Sequence, residues 1–133
     1  MNAPATILIV DDNPTNLKLA ADVLEFEGYT IARARDAEEA RQVLKHTQPN
    51  LILMDLQMAG MDGLALTRLL KANLSYQHIP VVALTAFAMK GDEDKAREAG
   101  CHSYIIKPIE TRKFPGQIAE ILAAAPKSKI DIL

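Results

Sequence analysis

The chain has a single cysteine, Cys101, among its 133 residues, which excludes an internal disulfide framework. The sequence also lacks an N-terminal signal peptide and any apolar run of transmembrane length. A formal net charge of −2 gives no support for nucleic acid or an anionic membrane as a partner. These absences predict no membrane insertion and make the cytoplasm the simplest location to expect.

What remains is an ordinary globular composition, with 49% hydrophobic and 24% charged residues. A chain of this length fits one domain, and such a domain buries roughly two-thirds of its unfolded surface. We therefore expect one domain over residues 1–125, followed by a short tail, 126–133.

Five short apolar runs predict the strands of this domain. Thr6–Val10 and Leu51–Asp55 each contain four consecutive apolar residues, too few for a helix and typical of a strand buried on both faces. Val81–Leu84 has the same character, and Ser103–Ile106 is the last strand. The weaker run Tyr29–Ala34 is predicted to lie at or near the edge of the sheet.

The segments between these runs have helical periodicity. Asn13 and Asp36 are candidate N-caps, and Pro14 suits the first helical position. Pro115 and Gly116 are expected to weaken the first turns of the last helix. The predicted helices run from Pro14 to near Gly28, from Ala37 to before Pro49, around Leu64–Leu70, over Ala88–Ala99 and over Thr111–Ala124. Strands alternating with helices predict a three-layer α/β domain with a parallel sheet and right-handed crossovers.

Polar side chains stand at the carboxyl ends of four predicted strands. Asp11 and Asp12 follow the first strand, and Asp55 ends the third. Thr85 follows the fourth strand and Lys107 the fifth. Parallel strands bring their carboxyl ends to one edge of the sheet, and ligands bind outside that edge. We therefore expect these five side chains to form one site.

Three neighbouring carboxylates repel one another unless a cation neutralises them. All-oxygen ligation suits Mg²⁺, which accepts one or two carboxylates together with a phosphate oxygen. A carboxylate beside Mg²⁺, a hydroxyl and an ammonium is equipped to attack a phosphoryl group. The sequence therefore predicts that Asp55 is a nucleophile that forms an aspartyl phosphate.

These residues resemble the receiver domain of bacterial two-component response regulators, over nearly the whole chain from Ile7 to about Leu122. A segment at 86–92, Ala-Phe-Ala-Met-Lys-Gly-Asp, is similar to single-domain cell-division regulators of the DivK type and to receivers fused to hybrid histidine kinases. The other matching motifs are Ile-Val-Asp-Asp-Asn at 9–13, Leu-Met-Asp-Leu-Gln-Met at 53–58, Met-Asp-Gly at 61–63, Leu-Thr-Ala at 84–86 and Lys-Pro at 107–108.

The resemblance implies a flavodoxin-like (βα)5 fold with a five-stranded parallel sheet in the order 2-1-3-4-5. It also implies that Asp55 is the phosphoacceptor and contributes to the Mg²⁺ site. Asp12 would ligate the ion directly, together with the backbone carbonyl of Gln57, and Asp11 would support the ion through water.

Several switch features follow from the same resemblance. Thr85 and Lys107 would contact the phosphoryl oxygens, and Tyr104 would turn inward with Thr85 on phosphorylation. The bond between Lys107 and Pro108 would be cis. The phosphoryl donor would be a histidine kinase or a histidine phosphotransfer protein. The output would be protein binding through helix 4, strand 5 and helix 5, with a role in cell-cycle or cell-division control.

Two residues depart from the family pattern or bear on the lifetime of the phosphate. Ala59 stands where proline is common, which is expected to loosen the loop after Asp55. Phe87, two residues beyond Thr85, is bulky enough to shield the phosphoryl group, so slow autodephosphorylation is expected. The chain is thus predicted to phosphorylate itself from a donor without being an enzyme that turns over a substrate.

Three alternatives stay open. Phosphatases of the haloacid-dehalogenase class also form an aspartyl phosphate, but they carry a second aspartate two residues after the nucleophile, where this chain has Gln57. A constitutive binding module that has lost phosphorylation is disfavoured because Asp55 and its neighbours are intact. The chain also fits a receiver excised from a hybrid kinase, although the initiating Met1 and the short tail favour a free-standing protein.

Overall fold

The computed structural model describes residues 4–58, 62–86 and 91–124. In these residues, five strands alternate with five helices. The strands are β1 (Thr6–Val10), β2 (Thr30–Ala34), β3 (Leu51–Asp55), β4 (Val81–Thr85) and β5 (Ser103–Ile106). The helices are α1 (Pro14–Phe26), α2 (Ala37–His46), α3 (Gly63–Lys71), α4 (Asp92–Ala99) and α5 (Phe114–Ala124).

The strands form one parallel sheet in the order β2-β1-β3-β4-β5. This order confirms the predicted flavodoxin-like topology and places β2 at an edge of the sheet. The central strand β3 and its neighbour β4 are buried along their whole length. Helices cover both faces of the sheet, which explains why these strands read as continuous apolar runs in the sequence.

The sheet separates two apolar layers, and alternate residues of each strand point into opposite layers. In β1, Ile7 and Ile9 pack with residues of α1 and α5. Leu8 and Val10 pack on the other face with residues of α2, α3 and α4. The predicted three-layer architecture is therefore confirmed.

The predicted N-caps are present. The Asn13 side chain accepts hydrogen bonds from the backbone N–H groups of Thr15 and Asn16, at 3.0 and 3.1 Å. Asp36 likewise accepts from the Glu39 N–H at 2.8 Å. These bonds satisfy N–H groups that have no partner within the helix. The caps therefore set the residues at which α1 and α2 begin after the preceding strands.

The last helix begins at Phe114, three residues later than the prediction from Thr111. Residues 111–113 form a turn, and the Phe114 N–H donates to the Glu110 carbonyl at 2.9 Å. Pro115 is then the second helical residue, where a missing N–H leaves no intrahelical bond unmade. Pro115 therefore does not weaken the first turns through a lost hydrogen bond, whereas the expected weakening by Gly116 stays a prediction.

Some expectations fall outside the described residues. They concern Ala59, Phe87, the predicted start of α4 at Ala88 and the tail 126–133. No helix in the described ranges combines the length and the apolar character that crossing a bilayer requires.

Candidate functional site

Strand register brings the predicted site residues to one edge of the sheet. Val10 pairs with Met54, so Asp11 and Asp55 come next on adjacent strands. Asp55 pairs with Leu84 of β4, which places Thr85 one residue beyond it. Thr85 pairs in turn with Ile106, and Lys107 follows directly. Four separate segments of the chain therefore meet at the carboxyl edge.

The three acids lie close together. Asp11, Asp12 and Asp55 each offer a carboxylate oxygen, and these oxygens lie within 4.8 Å of one another. Asp11 and Asp55 are 1% and 2% exposed, whereas Asp12 is exposed to solvent. A set of oxygen donors that is open to water on one side fits Mg²⁺, which usually keeps several of its waters. The residues present therefore fit the ion that was predicted.

Lys107 supplies a positive charge inside this cluster. Its Nζ lies 3.1 Å from Asp11 Oδ2 and 3.2 Å from Asp55 Oδ1, and its side chain is 13% exposed. Burial raises the pKa of the Asp11 carboxyl above its ordinary value, and the charge of Asp55 acts in the same direction. The Asn13 N–H and Lys107 oppose this increase in the Asp11 pKa by hydrogen bonding to the carboxylate. The site thus concentrates negative charge that one lysine only partly offsets.

Gln57 connects the ends of β3 and β4. Its backbone N–H donates to Asp55 Oδ1 at 3.0 Å. Its side-chain Nε2 donates to Thr85 Oγ1 at 2.8 Å, and its Oε1 accepts from the Ala86 N–H at 3.2 Å. Sequence reasoning assigned Gln57 only a backbone carbonyl and did not find these side-chain contacts. The residue type was visible in the sequence, but the direction of its side chain was not.

Gly63, the first residue of α3, was also missed as a structural requirement of the site. A Cβ atom at this position would overlap the backbone carbonyl oxygen of Asp55 and would lie 2.9 Å from the Met54 side chain. Glycine therefore allows α3 to begin directly against the end of β3. The Met-Asp-Gly motif contained the signal, but its contact with Asp55 appears only in the folded chain.

The structure also places the predicted switch residues. Thr85 is 2% exposed, and its carbonyl accepts a hydrogen bond from the Lys107 N–H at 2.7 Å. Tyr104 on β5 is partly buried and packs against the apolar layer under α2, α3 and α4. The peptide bond between Lys107 and Pro108 is cis.

The fold and the acidic site define a class of protein. A family model for the response regulator receiver domain matches residues 7–119, so the chain belongs to this family. It is similar to the polar-differentiation response regulator DivK of Brucella anthropi, with 44% identity over 122 residues that cover 92% of this chain and 99% of that protein. DivK of Brucella abortus strain S19 is 44% identical over 120 residues, covering 90% and 98% of the two chains.

Solved structures agree with this assignment. A response regulator from Chloroflexus aurantiacus superposes with a TM-score of 0.84 at 32% identity, covering 90% of this chain and 98% of that one. The receiver domain of a sensor histidine kinase from Pseudomonas aeruginosa has a TM-score of 0.83 at 29% identity, covering 92% and 100%. That structure has a magnesium ion coordinated in its active-site cleft. The chain is a response-regulator receiver domain, and its family implies histidine kinases as partners.

Proposed function

We propose that Asp55 accepts a phosphoryl group from a phosphohistidine on a histidine kinase or on a histidine phosphotransfer protein. The observation that carries this proposal is the buried carboxylate of Asp55 at the end of β3, with Lys107 Nζ 3.2 Å from its Oδ1. The two buried carboxylates of Asp11 and Asp55 share one lysine, so a bound cation would lower the cost of their remaining negative charge. A role as phosphoryl acceptor would explain why these carboxylates are held together at the end of β3.

In the proposed reaction, an Asp55 carboxylate oxygen attacks phosphorus as the bond between phosphorus and the donor's imidazole nitrogen breaks. The electron pair of that bond returns to the imidazole, which remains free to take up a proton. We assign the attack to Oδ2, because Oδ1 already accepts from the Gln57 N–H and contacts Lys107. Lys107 and Thr85 then stabilise the charge on the phosphoryl oxygens.

Asp11, Asp12, Asp55 and the backbone carbonyl of Gln57 would hold Mg²⁺. When bound, the ion supplies positive charge that offsets the acids and the incoming phosphoryl group. Magnesium in the cleft of the related Pseudomonas aeruginosa receiver supports this assignment. Asp11 and Asp12 contribute negative charge to the site whether or not phosphate is present, and the ion would neutralise this charge.

The proposed output is binding to another protein through the face made by α4, β5 and α5. Tyr104 and Ile106 on β5 line a shallow pocket there with Pro108 and Lys113, and Ile106 is 46% exposed. An exposed apolar side chain beside the switch residue suits a surface that changes when Thr85 and Tyr104 move inward. The similarity to the DivK proteins supports a role in cell-cycle or cell-division control.

We propose residues 1–125 as the domain that carries this function, in the cytoplasm, where an ATP-dependent kinase would act as donor. A second candidate is a receiver from a hybrid kinase. Two similar structures are receiver domains of histidine kinases, at 33% and 29% identity, which favours keeping this alternative. Membership in the receiver family disfavours the phosphatase alternative, and Gln57 supplies no second acid.

Replacing the phosphoacceptor tests the proposal. Asp55→Asn keeps the shape of the side chain but removes the nucleophilic carboxylate, so labelling by acetyl phosphate and Mg²⁺ is expected to disappear. Intact-mass spectrometry measures the label. Asp36→Asn is the matched control, because Asn still caps α2. Equal labelling of Asp55→Asn and the wild type would refute the assignment, and turnover of a phosphate monoester would favour the phosphatase instead.

A further inference from the structure

The side chain of Gln57 makes two hydrogen bonds to the end of β4, beyond the role of its backbone. Nε2 lies 2.8 Å from Thr85 Oγ1, and Oε1 lies 3.2 Å from the Ala86 N. The backbone N–H of the same residue donates to the Asp55 carboxylate at 3.0 Å. One residue therefore contacts both the phosphoacceptor and the switch hydroxyl.

Chemistry fixes which way round the Gln57 amide lies. The Ala86 N–H is a donor, so only the carbonyl oxygen of the Gln57 amide can face it. The amide NH₂ must then face Thr85, and the hydroxyl oxygen of Thr85 acts as the acceptor. Thr85 is 2% exposed, so water does not easily replace this bond. The side chain of Gln57 thus holds the Thr85 hydroxyl at one position.

We propose that Gln57 is a positioning residue whose side-chain amide holds the Thr85 hydroxyl in the unphosphorylated state and releases it when Asp55 is phosphorylated. This inference rests on the proposed function of Asp55. A hydroxyl that moves to donate to a phosphoryl oxygen must leave its position against the amide, so the two bonds favour the unphosphorylated state. Gln57 therefore sets part of the equilibrium between the two states.

The size of this bias follows from the modest net free energy that such hydrogen bonds contribute. Removing them is expected to raise the population of the released state by about threefold to tenfold. A ligand that binds only the released state gains apparent affinity by the same factor while that state stays the minor one. Beryllium fluoride with Mg²⁺ is such a ligand, because it occupies a carboxylate as a phosphoryl analogue without covalent transfer.

Four proteins form the first test: the wild type, Gln57→Met, Thr85→Val and the double variant. Methionine keeps the length of Gln57 but forms neither hydrogen bond, and valine keeps the shape of Thr85 without its hydroxyl. Titration with beryllium fluoride is expected to show about threefold to tenfold tighter binding for Gln57→Met than for the wild type. In the Thr85→Val background, Gln57→Met is expected to have a clearly smaller effect, because only the bond to the Ala86 N–H remains to be lost. No change in the wild-type background, weaker binding, or an equal change in both backgrounds would overturn the proposal.

Hydrogen exchange of the free, Mg²⁺-free protein is the second test, and it does not depend on phosphorylation. The Ala86 amide is expected to exchange at least about threefold faster in Gln57→Met, because its acceptor is lost. The Lys107 amide, which donates to the Thr85 carbonyl at 2.7 Å, is the control and is expected to keep its rate. An unchanged Ala86 rate, or equal acceleration of both amides, would refute the role of Gln57. Such a result would leave the Asp55→Asn test unaffected, so the two proposals fail separately.

Discussion

The sheet has a carboxyl edge and an amino edge, where its strands end and begin. A partly buried lysine lies at each, and the two lysines contact different kinds of acceptor. At the carboxyl edge, Lys107 Nζ lies within 3.2 Å of the carboxylates of Asp11 and Asp55. At the amino edge, Lys71 Nζ donates to the backbone carbonyls of Gln77 and Ile79, at 3.1 and 2.6 Å. Only the first contact involves ionised partners.

This difference has an electrostatic consequence. Burial lowers the pKa of Lys71, and its two carbonyl partners provide dipoles without a full negative charge. Lys71 therefore serves the loop between α3 and β4 by donating to the carbonyl of buried Ile79 and to that of exposed Gln77. Lys107 instead contacts two buried carboxylates and offsets part of their negative charge. The two lysines therefore differ in the charge of the acceptors that they contact, although the residue type is the same.

The largest expected effect comes from replacing each lysine by methionine, which keeps the aliphatic stem and removes the charge. Lys107→Met is expected to slow labelling of Asp55 by acetyl phosphate about 100-fold to 1000-fold, because a charged donor to the phosphoryl oxygens is lost. Lys71→Met is expected to leave the labelling rate within about twofold of the wild type and to lower the free energy of unfolding by about 1–3 kcal/mol, because two carbonyls lose their donor. Mass spectrometry of samples quenched at successive times measures the labelling rate, and urea unfolding measures the stability. Slow labelling of Lys71→Met, with the fold intact, would contradict the expected difference between the two lysines.

A smaller effect is expected at the contact between α3 and the end of β3. Gly63→Ala places a Cβ against the Asp55 carbonyl and the Met54 side chain, so the free energy of unfolding is expected to fall by about 1–3 kcal/mol. Gly116→Ala in α5 is the matched control, since a Cβ there has no neighbour within 4 Å. Its helical position predicts a gain of about 0.5–1 kcal/mol. Thermal and urea unfolding report both values, and equal stabilities of the two variants would contradict the close contact at Asp55.

The smallest expected effect concerns Cys101 at the amino edge. Burial raises the pKa of its thiol above the ordinary 9.0. Above this pH the unfolded chain releases the proton more readily than the folded chain, so stability falls until the folded thiol also titrates. Cys101→Ala removes this contribution, while Lys71 titrates in both proteins. Urea unfolding between about pH 8 and pH 10 is expected to show a larger loss of stability for the wild type than for Cys101→Ala. Parallel curves would indicate a thiol with an unperturbed pKa.

Much of the fold was predictable because its signals are local. The runs Thr6–Val10, Leu51–Asp55 and Ser103–Ile106 form strands with the predicted bounds. Asn13 and Asp36 cap their helices as predicted, because a capping side chain bonds within three residues of itself. The start of α5 was misplaced by three residues, since the turn before it depends on a bond between Phe114 and Glu110 that no periodicity shows.

The site likewise has features that were predictable from the sequence and features that were not. The positions of Asp55, Thr85 and Lys107 were predictable because each follows an apolar strand, and the parallel sheet aligns those ends. The side-chain bonds of Gln57 and the packing of Gly63 were not, because they depend on rotamers and on distances between segments that are far apart in the chain. Their partners become neighbours only when β3, β4 and α3 pack together.

The sequence by itself determined which residue types stand at the strand ends, and so the chemistry that the carboxyl edge can support. Hydrophobic periodicity is sufficient for this, because burial of alternate or continuous apolar residues dictates where each strand begins and ends. The contact of Lys107 with two carboxylates was expected from the aligned strand ends, but only the tertiary structure decided its distances and the two carbonyl partners of Lys71. The physical reason is that the acceptors lie at other positions in the chain. Packing of the folded chain therefore determines which acceptors the ammonium group of a lysine contacts.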